Sequence, residues 1–231
     1  MKQSFDSLQF VAFTSGRPKA DAVDLWGRAF AGARPPNFSQ IAGGGTQSGG
    51  TVGGASVMLQ SQLGRIDVIV SPIPDLVPGG SMPDFEAAVE MGAEACLKAI
   101  KGEALLRPAV VFQTSEEAAS LTEAVNRVAA LAPVRFPTAA IDLSYQTIVP
   151  MKSVADPSVT INRLVRWNTA KKIMVRVDQA GGVINEGQMV AGRYVDVYAE
   201  GPVDPDRFER VFSEVVQEAK LLLSKGYERL A

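Results

Sequence analysis

Histidine is absent from all 231 residues, and cysteine occurs once, as Cys96. Histidine is the one side chain whose unperturbed pKa lies near neutrality. Without it, Ser-His-Asp and Cys-His catalysis and His-ligated zinc or iron are excluded. A lone cysteine excludes an intrachain disulfide and a Cys-rich zinc site. Carboxylate, Lys or Tyr chemistry and oxygen-ligated magnesium stay open. Long apolar runs are also missing. None approaches the roughly 18 residues of a membrane span. Polar residues interrupt the first stretch, MKQSFDSLQFVAFTSG, where a secretory signal needs a continuous apolar region. An excess of one charge is missing too: 23 Lys and Arg face 25 Asp and Glu. A net charge of −2 gives no bulk attraction to nucleic acid or anionic lipid. These absences predict a cytoplasmic chain with no membrane segment, no metal and no cofactor.

What is present is core material. The composition is 46% hydrophobic, enough for one large domain or two small ones. Residues 8–14 (LQFVAFT) read as a strand. A helix is expected from Ser15 and Pro18 to Pro35, with Val23, Trp26, Phe30 and Ala33 at helical spacing. The stretch 43–56, GGGTQSGGTVGGAS, invites a phosphate-loop reading. It lacks the Gly-Lys-Ser/Thr ending and the G-x-G-x-x-G spacing, and it does not run into a helix. A mobile loop is expected there.

Residues 57–63 and 65–71 flank Gly64 and read as paired strands, with Ile66, Val68 and Val70 on one face. A Pro- and Gly-bearing loop follows. Ser81 and Asp84 then open a helix whose stripe is Phe85, Val89, Gly92, Cys96 and Ile100, closed by Gly102. In the second half, residues 109–113 read as a strand. Ser115 with Glu116 and Glu117 reads as a helix start. Strands are expected at 139–149, 159–167, 172–178 and 194–200, with a turn at 179–182. The last helix runs from Asp204-Pro205 to about Lys225 on Phe208, Val211, Phe212, Val215, Ala219 and Leu222.

The two halves carry the same order of features. GRIDV at 64–68 and GRYVDV at 192–197 each precede a Pro-bearing loop and a helix that opens with Pro-Asp. Phe13 aligns with Phe112, Arg28 with Arg127 and Asp67 with Asp196. The expected fold is therefore α+β, built from two repeated β-α-(variable)-β-β-α halves, 1–104 and 105–231, the second with extra strands. Mostly antiparallel sheet with helices on one face, in a split-βαβ or ferredoxin-like manner, packs as one unit. The extra residue in the second GR motif calls for a β-bulge if the motifs are equivalent.

Three functional readings follow. The leading one is a non-catalytic module that binds a protein partner or assembles with itself. The second is a small-ligand or enzymatic site between the halves, built from Arg65, Asp67, Arg193 and Asp196. Its plainer alternative is that Gly permits a turn while Arg and Asp face outward from half-buried strands. The third and weakest is polyanion binding by Arg163, Arg166, Trp167, Lys172 and Arg176, basic groups interleaved with one aromatic. Cys96 lies on an apolar stripe and reads as a small core hydrophobe.

Overall fold

The structure is a computed structural model of the whole chain and describes residues 5–73, 84–131, 143–177, 183–225 and 230, with backbone alone for 172–177 and 183–186. In chain order the elements are β1 (Phe5–Thr14), α1 (Ala22–Ala29), β2 (Asn37–Ile41), β3 (Gly45–Val52), β4 (Ala55–Gln62), β5 (Arg65–Pro72) and α2 (Phe85–Ala99). They continue as β6 (Leu105–Ala118), α3 (Leu121–Leu131), β7 (Ser144–Lys152), β8 (Thr160–Val177), β9 (Val183–Glu200) and α4 (Phe208–Lys225). The strands form one sheet in the order β2-β3-β4-β5-β1-β6-β9-β8-β7. Every neighbouring pair is antiparallel. The protein is thus mixed α and β with one large antiparallel sheet. No described helix is long and apolar enough to cross a membrane.

Alternation decides which face the core takes. Leu8, Phe10 and Ala12 of β1, Ile66, Val68 and Val70 of β5, Val110 and Phe112 of β6, and Val195, Val197 and Ala199 of β9 join one buried cluster. The same cluster takes in Leu25 and Trp26 of α1, Val89 and Cys96 of α2, Val128 of α3 and the whole predicted stripe of α4. All four helices therefore cover one face of the sheet. Phe10 meets Phe112 edge-on at 5.7 Å between ring centroids, tying β1 to β6 at the centre.

Several expectations shift. The first helix begins later, at Ala22, because the Asp21 carboxylate accepts from the amides of Val23 (2.8 Å) and Asp24 (2.9 Å). Its buried positions are Ala22, Leu25, Trp26 and Ala29, so of the expected stripe only Trp26 is buried. Ser115, Glu116 and Glu117 do not start a helix. They extend β6 against Gly192, Ala191 and Val190 of β9. The helix start lies five residues on, where Ser120 Oγ accepts from the Glu123 amide (3.2 Å) and the Glu123 carboxylate from the Ala119 amide (2.8 Å). The two expected strands 159–167 and 172–178 are one strand, β8. Among the described residues the first half contributes five strands and the second four. Ser81, most of the Pro-bearing loop after β5, residues 139–142 and the turn at 179–182 lie outside the described residues.

The Gly-rich stretch is the largest correction. It is not a loop but most of the β3–β4 hairpin, closed by Gly53 and Gly54 at φ +56° and +79°. Glycine is depleted in strands because it gives up backbone entropy and packs no side chain. Here the missing side chain is what the packing needs. A Cβ at Gly50 would stand 2.7 Å from Pro36 Cδ and 3.1 Å from the Trp26 ring.

Candidate functional site on the helix-free sheet face

The face opposite the helices has no helical cover among the described residues. Its side chains follow from register. Arg65, Phe13 and Arg107 stand opposite one another across β5, β1 and β6. Asp67, Val11, Ala109 and Tyr198 form the next row. Gln9 and Val111 lead on to Asp196, and Gln113 to Tyr194 and then Arg166 of β8.

Two kinds of contact dominate this face. The first is cation on aromatic. The Phe13 ring lies between two guanidiniums, Arg107 at 4.0 Å and Arg65 at 5.8 Å from its centroid. Arg107 also lies over Tyr198 at 5.9 Å, and Arg166 over Tyr194 at 5.1 Å. The second is charge-assisted hydrogen bonding. Arg65 grips Asp67 with two donors, Nε to Oδ2 at 2.8 Å and a second from its Nη2, while Gln9 Nε2 donates to Oδ1 at 2.9 Å. This pairing raises the Arg65 pKa. Asp67 is fully buried beneath these partners.

Asp196 of β9 lies on the same face, opposite Val111, and is treated differently. Burial pushes its pKa up, against the pull of Arg107 and Arg166. Burial also raises the Tyr194 phenol, with Asp196 adding to the shift. Beside them lies a shallow depression of about 570 Å³, lined by Asp6, Ser115, Asn168, Gly192, Arg166 and Tyr194 among others. A Cβ on Gly192, one of the lining residues, would stand 3.0 Å from Asn168 Oδ1. Ser115 Oγ donates to Asp6 Oδ1 at 2.9 Å on its wall.

The four residues expected to share a ligand site do not converge. Arg65 and Asp67 are paired, and Asp196 lies on the same face three strands away. Arg193 points through the other face, where its guanidinium donates to the Leu223 carbonyl near the end of α4. Burial lowers its pKa. The expected bulge is absent: the β6–β9 register runs without a shift from Met189 to Tyr198. With no bulge, the extra residue of GRYVDV flips Arg193 to the helix side and leaves only the two aspartates alike.

The basic segment of β8 also divides. Arg163 and Trp167 face the core, Arg163 beside Glu218 of α4 at 3.8 Å and Trp167 stacked on Tyr145 at 5.8 Å. Trp167 is fully buried and offers no ring to a base. Arg166 is on the helix-free face, donating to Gln146 Oε1 at 2.9 Å. The side chains of Lys172 and Arg176 lie outside the described ones.

Catalytic options are few. Cys96 is fully buried in α2, and burial pushes its thiol pKa far up, which suppresses the nucleophilic thiolate. Among the described residues no group of three or more Cys, Asp or Glu is placed to hold a metal. Sequence reasoning did not read Phe13, Arg107, Tyr194 or Tyr198 as site residues; it named Phe13 only as the counterpart of Phe112. The alternation Tyr194-Val195-Asp196-Val197-Tyr198-Ala199 was the available signal, since it separates a polar-aromatic face from a core face. No family model, curated protein or solved structure matches the chain.

Proposed function

We propose that the chain is a cytoplasmic, non-catalytic module that binds a protein partner, or a second copy of itself, through the helix-free face of its sheet. The observation that carries this reading is the chain of cation–aromatic contacts Arg65–Phe13–Arg107–Tyr198, with Arg166–Tyr194 on the same face. Tyr and Arg in partly desolvated clusters are the residues that concentrate binding energy at protein interfaces. Asp196 supports the reading, because burial raises its pKa and no hydrogen bond or close ion pair within the described structure answers the cost.

The two halves are read as a duplication. Each runs strand, helix, strands, helix, and β1 and β6 meet at the centre. The connection β5–α2–β6 straddles β1, which supports the split-βαβ flavour. A second reading, a polar small-molecule site, has the Gly192 depression in its favour. Its volume falls in the range of ligand pockets, but it is shallow and open, and polar and apolar surface share its walls almost evenly.

The test is affinity capture with the wild type, an Arg107→Glu/Tyr198→Glu variant, and a control changed on the helix side at exposed Asp24. A partner kept by the control and lost with the sheet variant supports the proposal. A partner kept by the sheet variant and lost with Asp24→Lys overturns it.

A further inference from the structure

The two edges of the sheet are built differently. β7 carries exposed Pro150 and Lys152, two devices that stop a further strand from adding. β2 has neither. Its residues Asn37, Phe38, Ser39 and Gln40 are exposed on both faces, and Phe38 is 50% exposed. Among the described residues it pairs only with β3, which leaves half of its backbone donors and acceptors facing outward.

Charge sharpens the contrast. From residue 35 to residue 64 the chain contains no Asp, Glu, Lys or Arg. That run is the whole of β2, β3 and β4, so these strands bring no charged side chain of their own to this end of the sheet; the Arg17 guanidinium donates to the Gly44 carbonyl at the β2–β3 corner (2.6 Å). A twofold contact sets the residue on its axis against its own copy and the flanking residues diagonally across from theirs, so a charge near the axis meets a like charge. An edge without charge is what self-pairing requires, whereas a different partner could be recognised by opposite charge. Head-to-tail addition, β2 onto β7, would give an open filament and is blocked by Pro150 and Lys152.

We infer that β2 is a self-association edge, pairing antiparallel with β2 of a second copy about Ser39. This joins two nine-stranded sheets into one continuous sheet. Phe38 of one copy then lies beside Gln40 of the other, and Asn37 beside Ile41. The contact is separate from the helix-free face and leaves that face open in both copies.

Light scattering over a wide concentration range tests it, with melting curves to verify folding. The wild type is expected to dimerise. Phe38→Lys and Ser39→Lys, both at exposed positions, are each expected to raise the dimer dissociation constant by about tenfold or more, since edge lysines oppose pairing, the one at 39 facing its own copy and the one at 38 lying diagonally across from its own. Ile148→Lys on β7 is expected to leave it unchanged. A wild type that is monomeric throughout overturns the inference. So does a dimer that neither β2 lysine weakens, or one that only Arg107→Glu/Tyr198→Glu dissolves. The last result would support self-assembly through the helix-free face instead.

Discussion

Changing Gly50 to alanine separates a built strand from a mobile loop by the sign of its effect. In a loop with ordinary φ and open space, Gly→Ala stabilises by about 0.4–1 kcal/mol by restricting the unfolded chain. Gly50 has no positive φ, so its backbone accepts alanine. The space does not. The new Cβ would stand 2.7 and 2.9 Å from Pro36 Cδ and Cγ and 3.1 Å from the Trp26 ring, and a proline ring cannot swing aside. Overpacking of this kind costs about 1–3 kcal/mol. After the unfolded-state gain, a net loss of about 1–2 kcal/mol is expected. At roughly 2–4 °C per kcal/mol for a chain this long, the melting temperature falls by about 2–8 °C. Gly27, inside α1 with nothing within 4 Å of its virtual Cβ, is the internal control. There alanine is expected to add up to about 1 kcal/mol through helix propensity. Thermal melts by circular dichroism read both. A Gly50→Ala protein as stable as the wild type, or more so, would refute the packing of Trp26 and Pro36 on β3.

Two further outcomes are expected. Asp196 has a pKa raised above its ordinary 3.8 by burial, so the native state holds its proton to higher pH than the unfolded chain. Stability from this group therefore falls as pH rises through that window, and its charge destabilises the fold at neutral pH. Asp196→Asn should raise the melting temperature at pH 7, with the gain vanishing below about pH 3.8; a pH-independent effect would contradict the assignment. Cys96, fully buried with its thiol pKa pushed up, should stay unreactive to thiol reagents in the native protein and react once on unfolding, and fast native labelling would place α2 wrongly.

How far the sequence disclosed this architecture depends on the range of the deciding interaction. The α4 stripe and the β4–β5 hairpin were readable because period and turn chemistry are local. The start of α3 was not, because Ser115-Glu116-Glu117 and Ser120 with Glu123 are rival caps. Pairing with β9, more than 70 residues away, settles it. The Gly-rich strand was hidden because its reason is a distant ring, Trp26. Among the site residues, Arg65 with Asp67 was legible from alternation alone. The GR motifs misled because one extra residue reverses a face, so Arg193 ends on the α4 side as a cation near a helix C-terminus. The cation–aromatic cluster of Phe13, Arg107 and Tyr198 needed the strand order, which no local pattern encodes.

Hydroxyl-radical footprinting tests the central claim most directly, comparing the free chain with the chain bound to its captured partner, or dilute with concentrated protein if it binds itself. The account predicts protection of Phe13, Tyr194 and Tyr198 in the bound state, with the outer sides of α1–α4 unchanged. Protection confined to the helices, with those three rings as reactive as before, would contradict it.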